Sequence, residues 1–296
     1  RPTVADKGDS ASSARSMAQA IIEQSRVRRG FCLVLGCETG DLAVELARQS
    51  ELQIYAVAAD EARFAAARKR VETAGLYGGR ICVEQWPLDK LPYADYFANL
   101  IVSETSLTTG QLPDAQEVYR MLKPAGGVAM LGRPASDAPT LRGWLEQGQI
   151  QGGRVMEDGN WVRIDRGLLP GAGNWTHLYA TPGNTASSDD QLVKMPLGLL
   201  WFGDPGPEKM VNRHIRAAGP LCVDGRLFCQ GENVVMTFDA YNGVKLWERP
   251  IQGAMRTGVS EVGGNLSANR RSLFVALADS CLQLDPATGE TVTEYP

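Results

Sequence analysis

Short apolar runs alternate with stretches of helical period over the first half of the chain. The apolar runs predict β-strands, and the stretches in which apolar residues recur every three or four positions predict helices. The predicted strands are Phe31–Leu35, Gln53–Ala58, Arg80–Glu84, Leu100–Ser103 and Gly127–Leu131. The predicted helices are Ser12–Arg29, Asp41–Gln49, Glu61–Ala74, Asp114–Leu122 and Thr140–Gln147. Strands that alternate with helices pair in parallel through right-handed crossovers, so this order predicts a Rossmann-like, doubly wound α/β sheet.

The pattern changes to strict alternation between Arg154 and Ile164, on both sides of Asp158-Gly159. Alternation around an Asp-Gly pair is typical of a β-hairpin. We therefore expect the parallel sheet to end in an antiparallel hairpin, within a first domain of residues 1–166.

Helical periodicity stops at Gly167, and Gly, Pro, Asn and Asp separate short strand-like runs from there on. This is typical of an all-β domain, predicted for residues 167–296. Two segments of it repeat at a spacing of 46 residues, which pairs Leu227 with Leu273, Asp239 with Asp285, Gly243 with Gly289 and Trp201 with Trp247. A period of this length with several strands each predicts about two to three blades of a β-propeller, fewer than the 4–8 blades of a closed one.

Composition excludes several classes of function. The 296 residues carry a net charge of −4, without the basic stripe that nucleic-acid binding requires. No apolar run approaches the roughly 18 residues that span a bilayer, and no secretory signal opens the sequence. The six cysteines form no Cys-x-x-Cys pair, so we expect no metal site. The opening on Arg1 and the close just after a repeat turn favour a fragment of a longer polypeptide.

The turn after the first strand, Gly36 to Gly40, leads into a helix, an arrangement that presents backbone N–H groups to a cofactor. With the terminal hairpin and the run Glu117 to Gly127, residues 12–166 resemble class I S-adenosylmethionine-dependent methyltransferases. The resemblance implies that S-adenosylmethionine would lie against the turn and the next two strand ends. The cofactor-binding residues it implies are Gly36, Cys37, Glu38, Gly40, Asp60, Leu88 and Asp89.

The chain departs from the family at the positions that touch the cofactor. Val34 replaces an acidic residue, Glu38 a glycine, Ala58 the acid that accepts from the ribose hydroxyls, and Trp86-Pro87 a Gly-Asp pair. Asp60 either substitutes for the ribose-binding acid or caps the helix that starts at Glu61. Each missing charge-assisted hydrogen bond costs about 1.5–3 kcal/mol, so binding would weaken by orders of magnitude. No catalytic residue is identified.

The second half carries Asp239, Gly243 and Trp247 in the spacing x-Asp-x-x-x-Gly-x-x-x-Trp. This resembles the repeat of pyrroloquinoline-quinone-type propellers, which implies a tight hairpin shaped by Asp and Gly and a Trp docked between blades. Many proteins with this repeat bind no quinone, so pyrroloquinoline quinone is not expected as a cofactor. Such propellers are usually extracytoplasmic, which implies a periplasmic or secreted location.

Three functions remain open. The first is a fusion in which a degenerate methyltransferase-like pseudoenzyme and a propeller bind an unknown protein or small-molecule ligand. The second is an active S-adenosylmethionine-dependent methyltransferase, and the third a fragment of a quinone-dependent oxidoreductase. His177 and His214 are too far apart in sequence to suggest a ligand pair, and Arg213, His214 and Arg216 form a hypothetical anion pocket on a propeller rim.

Overall fold

The computed structural model describes residues 7–132, 138–148, 153–158, 161–204, 206–210, 218–254 and 265–296. The chain divides into two compact units, Arg1–Gly167 and Leu168–Pro296. Among the described residues, no helix combines the length and apolar character that a membrane crossing requires.

The first unit alternates strands and helices as the hydrophobic pattern predicts. Its strands are β1 (Arg29–Leu35), β2 (Glu51–Ala58), β3 (Ile81–Gln85), β4 (Leu100–Ser103), β5 (Val128–Gly132), β6 (Gly153–Asp158) and β7 (Trp161–Arg166). Its helices are α1 (Lys7–Ser25), α2 (Asp41–Gln49), α3 (Glu61–Thr73), α4 (Glu104–Thr108), α5 (Ala115–Met121) and α6 (Ala138–Gln147). Each predicted element is therefore present.

Two of the differences from the prediction concern helices. Helix α1 ends at Ser25 rather than Arg29, because Arg26 takes a left-handed backbone conformation (φ 59°) and Arg29 already belongs to β1. Helix α4 was not predicted at all. It is five residues long, and its Ser and Thr content is poor for helices, but Ser103 caps it by accepting a hydrogen bond from the Ser106 N–H at 3.2 Å.

The seven strands form one mixed sheet in the order β3-β2-β1-β4-β5-β7-β6. All pairs among the first five strands are parallel, and β7 is antiparallel to both β5 and β6. The predicted doubly wound sheet with a terminal hairpin is thus confirmed. The strand order reverses between β1 and β4, and in open α/β sheets ligands bind beyond the carboxyl ends of strands at such a reversal.

Helices cover both faces of the sheet, which is why its central strands read as continuous apolar runs. Cys32 and Val34 of β1 belong to the apolar cluster that contains residues of α1, α2 and α3. Leu33 and Leu35 belong to the cluster on the opposite face, with residues of α5 and Trp144 of α6. Val34, which replaces an acid in the family pattern, is a fully buried core residue here.

The second unit contains two four-stranded antiparallel sheets. The first comprises β8 (Leu221–Val223), β9 (Arg226–Gln230), β10 (Val234–Asp239) and β11 (Lys245–Pro250), and the second β12 (Leu266–Ala268), β13 (Leu273–Ala276), β14 (Cys281–Leu284) and β15 (Thr291–Tyr295). In each sheet the strands neighbour one another in chain order. A short helix, α7 (Gly206–Lys209), precedes them. The described residues form no closed ring of sheets, so the propeller stays a prediction.

The repeated Asp and Gly residues shape the same turn in both sheets. The Gly243 N–H donates to the Asp239 carbonyl at 2.9 Å, and the Gly289 N–H donates to the Asp285 carbonyl at 2.8 Å. Both glycines are left-handed, with φ of 74° and 76°. Both side-chain carboxylates also accept backbone N–H groups within the turn.

A tryptophan packs directly on each of these glycines. A Cβ at Gly243 would lie 2.4 Å from Cε3 of Trp201, and a Cβ at Gly289 would lie 2.7 Å from Cε3 of Trp247. The glycines are therefore required twice, once by the backbone conformation and once by the ring above them.

Gly289→Ala tests the second requirement, with Gly253→Ala as its matched control. Gly253 has a comparable φ of 85°, but a Cβ there would meet only Leu277 Cδ2 at 3.9 Å. We expect Gly289→Ala to lower the free energy of unfolding by about 1–3 kcal/mol more than Gly253→Ala, because only the first crowds a packed ring. Urea denaturation followed by tryptophan fluorescence measures the difference. Equal losses would show that the Trp247 contact adds nothing.

Candidate functional site

The turn from Gly36 to Gly40 lies at the carboxyl end of β1, beside the strand reversal. Gly36 (φ 68°) and Gly40 (φ 82°) are both left-handed. A Cβ at Gly36 would lie 2.3 Å from Cγ2 of Thr105 in α4, and one at Gly40 would lie 3.0 Å from the Ala67 carbonyl oxygen in α3. Both glycines thus have a structural reason within the domain, since each lets a helix approach the turn.

Two N–H groups of the turn are used inside the domain. The Cys37 N–H donates to the Val57 carbonyl at 2.8 Å, and the Glu38 N–H donates to Oε2 of Glu104 at 3.4 Å. The Cys37 thiol is fully buried and not in a disulfide, and burial raises its pKa well above the usual value. It is a core residue rather than a reactive thiol.

Glu104 is a buried carboxyl group that the sequence analysis did not select. It is only 8% exposed and opens α4, directly after β4. Burial raises its pKa to about 7; the Glu38 N–H opposes this shift, whereas the carboxylates of Glu38 and Asp41 add to it. Among the described residues no cation pairs with Glu104. A carboxyl group in this state changes its charge near neutral pH.

Asp60 caps α3, which is one of the two roles that the sequence predicts for it. Its Oδ1 accepts the Arg63 N–H at 2.9 Å, and its Oδ2 accepts a hydrogen bond from the Arg63 guanidinium. These bonds, the backbone one first, lower the pKa of Asp60. The same guanidinium lies 3.9 Å, Nε to Oε1, from Glu38. Arg63 therefore holds Asp60 and Glu38 together beside the turn.

Ala58 offers no side-chain acceptor at the end of β2. It is fully buried, and its carbonyl accepts the Trp86 N–H at 3.2 Å. The Trp86 indole donates to Oε2 of Glu84 at 3.0 Å, and the Tyr93 hydroxyl donates to the same oxygen at 2.8 Å. The polar groups after β3 thus satisfy one another.

Leu88 and Asp89 form no hydrogen bond with the turn. Leu88 is half-buried and packs against the apolar cluster on the α5 face of the sheet. Asp89 is exposed, and it makes no hydrogen bond or ion pair with any described residue. Of the seven predicted residues, Gly36, Cys37, Glu38 and Gly40 lie in one turn, Arg63 connects Asp60 to Glu38, and the other two form no hydrogen bond with the turn.

The remaining candidates are a metal site, His177 and the hypothetical anion pocket. No group of three or more potential metal ligands occurs in the described part of the chain. His177 is half-buried, and its Nδ1 lies 2.8 Å from the Thr176 hydroxyl. Arg213, His214 and Arg216, the hypothetical anion pocket, lie outside the described residues.

Comparison with known proteins supports the first unit's resemblance over its central part. Residues 32–126, from β1 to the turn before β5, match the family model of a methyltransferase domain. No curated protein matches the chain.

Several solved structures are similar to about half of the chain. A protein of Methanococcus maripaludis described as an S-adenosyl-L-methionine-dependent methyltransferase is 22% identical, covers 53% of this chain and 86% of its own, and gives a TM-score of 0.48. A SAM dependent methyltransferase from Aquifex aeolicus is 17% identical over 52% of this chain and 96% of its own, with a TM-score of 0.39. A protein of Galdieria sulphuraria described as a sarcosine dimethylglycine methyltransferase is 19% identical over 49% and 63%, with a TM-score of 0.39. At these values the similarities carry no conclusion about ligand or reaction.

Glu104→Gln tests the buried carboxyl group through the pH dependence of stability. Because the folded-state pKa lies above the unfolded value of 4.5, the folded state binds more protons, and stability falls as pH rises from about 4.5 to about 7. A shift of this size corresponds to about 3 kcal/mol at most. Glutamine keeps the acceptor for Glu38 and removes the charge. We therefore expect the variant to be more stable than the native chain at pH 8 and to lose most of this slope.

Urea denaturation at intervals between pH 5 and pH 8 measures the slope. Glu72→Gln, at an exposed carboxylate on α3, is the control and should leave it unchanged. A slope that persists in Glu104→Gln would contradict the assignment of the titration to Glu104.

Proposed function

We propose that the first unit is a methyltransferase-like domain that no longer binds S-adenosylmethionine productively and that serves, with a propeller, as a binding or scaffolding protein. The observation that carries this proposal is the state of Asp60. It is the acid nearest to the end of β2 that could replace the missing ribose acceptor, and both of its carboxylate oxygens are already bonded to Arg63.

The other contacts support the same conclusion. Ala58 cannot accept a hydrogen bond from a ribose hydroxyl, and Glu38 places a carboxylate where the family has a glycine. The N–H groups of Cys37 and Glu38 donate to protein acceptors. A ligand would have to replace bonds that the domain already makes, so the free energy it gains from each new contact is small.

The second unit supports the propeller half of the proposal. A turn with the same hydrogen bonds and the same tryptophan contact occurs in both of its sheets, 46 residues apart. Asp239, Gly243 and Trp247 serve the turn and the packing, and the proposal includes no quinone cofactor. The extracytoplasmic location belongs to this proposal and follows from the type of repeat. The ligand is a protein or a small molecule.

A second candidate, an active methyltransferase, is favoured by Glu104. Its carboxyl group lies at the strand reversal, where the fold binds ligands, and its pKa of about 7 suits a general base at neutral pH. The match of residues 32–126 to a methyltransferase domain agrees with either candidate.

Calorimetric titration with S-adenosylmethionine and S-adenosylhomocysteine separates the two candidates. We expect no binding heat with the native chain at ligand concentrations up to about 1 mM, which corresponds to a binding free energy weaker than about −4 kcal/mol. A micromolar Kd for either ligand would overturn the proposal. Loss of that affinity in Glu104→Gln would then favour the active methyltransferase.

A double variant, Glu38→Gly with Ala58→Asp, tests whether these two positions cause the expected loss of S-adenosylmethionine binding. It returns a glycine to the turn and an acceptor to the end of β2. We expect affinity for S-adenosylhomocysteine to rise at least about tenfold, the effect of about 1.4 kcal/mol. Glu38→Gly with Ala58→Leu is the control, since it adds a side chain at the strand end without an acceptor. Equal affinities for the two double variants would show that the missing carboxylate at position 58 is not the cause.

A further inference from the structure

Residues 199–204 correspond to the outer strand of a sheet that the described residues do not contain. The repeat spacing of 46 residues places Leu199 to Asp204 at the positions of β11, Lys245–Pro250. Within this alignment Trp201 corresponds to Trp247, which lies in β11.

Trp201 makes the same contact that Trp247 makes, one repeat earlier. The Trp247 indole donates to the Pro286 carbonyl at 3.1 Å, and the Trp201 indole donates to the Ala240 carbonyl at 2.9 Å. Both acceptors are 39 residues beyond their tryptophan, and both rings pack on the glycine of the same turn. Trp201 therefore packs on a turn of the first sheet in the same way that Trp247, in the outer strand β11, packs on a turn of the second sheet.

The segment around Trp201 lacks the strand partner that β11 has. In the first sheet, β11 pairs with β10, and Thr237 lies opposite Trp247. No backbone N–H or C=O of residues 197–204 forms a hydrogen bond with any described residue. Two apolar side chains of the segment are also exposed to solvent, Leu199 at 82% and Phe202 at 94%. Apolar side chains and an open backbone edge together mark a place where another strand adds.

We infer that Leu199 to Asp204 is the fourth strand of a further four-stranded sheet, and that it binds a three-stranded antiparallel sheet of the same repeat. The equivalent of β10 in that partner pairs with the segment, and its apolar side chains cover Leu199 and Phe202. This inference rests on the propeller half of the proposed function and names the kind of partner that the propeller takes at this edge.

A partner built from the repeat is favoured over a second copy of the whole chain. Both sheets that the described residues form in the second unit already have four strands, so neither offers a three-stranded sheet in a second copy. The docked ring also fixes the place of the segment, because Trp201 packs against the Ala240–Gly243 turn.

The test appends a copy of residues 218–239, which contain β8, β9 and β10, to the C-terminus of the chain. A flexible Gly/Ser linker of about 30 residues has a root-mean-square span of about 30 Å and keeps the copy at a high effective concentration. Hydrogen–deuterium exchange then reports the backbone amides of residues 199–204. We expect their exchange to slow at least about tenfold relative to the unextended chain, because strand pairing protects amides.

The matched control carries Thr237→Pro in the appended copy alone. Proline cannot donate to a strand partner, so protection should be lost while the composition of the extension stays nearly the same. Unchanged exchange with the native copy, or equal protection by the proline copy, would overturn the inference.

Analytical ultracentrifugation of the unextended chain, combined with hydrogen–deuterium exchange, tests whether a second copy of the chain covers the segment instead. Protection of residues 199–204 that grows with self-association would show that a second copy covers the segment and would overturn the inference. Calorimetry with S-adenosylmethionine examines the first unit alone, so its outcome is independent of this one.

Discussion

Parallel pairing of β1 with β2 on one side and β4 on the other determines the arrangement of the first unit. The register places Leu35 opposite Ser103, so the turn after β1 and the helix after β4 start side by side. Thr105 then packs on Gly36, and Glu104 accepts the Glu38 N–H. These contacts lie at the strand reversal, where open α/β sheets bind ligands.

The charged side chains around the turn after β1 also affect one another. Glu38, Asp41 and Glu104 lie close enough for the first two to raise the pKa of the third. Arg63 bonds to Asp60 and approaches Glu38, and Arg70 pairs with Asp41 at 2.5 Å, Nε to Oδ1. Glu104 pairs with no cation in the described part of the chain. The cost of burying its charge is avoided when the carboxyl group takes up a proton near neutral pH. The acids and arginines of this region therefore interact with one another.

The second unit depends on one contact used twice. A tryptophan ring packs on a left-handed glycine and its indole donates a hydrogen bond, which joins the Trp201 segment to the first turn and β11 to the second. Repeat proteins are stabilised by such contacts between neighbours, so each repeat leaves one edge that the next must cover. The exposed segment around Phe202 is the edge for which no described strand provides cover.

Local features of the chain were predictable from the sequence, and contacts between distant residues were not. Strand and helix positions follow from hydrophobic period, and the cap at Asp60 and the turns at Gly243 and Gly289 follow from residues a few positions apart. The role of Glu104 depends on its contact with Glu38, 66 residues away, so no local pattern marks it as buried. The same holds for the contact of Arg63 with Glu38 and for the hydrogen bond from the Trp201 indole to the Ala240 carbonyl. Hydrophobic period records which face of an element is buried, whereas only the tertiary structure decides which charged and polar groups meet there, since that depends on strand order and register.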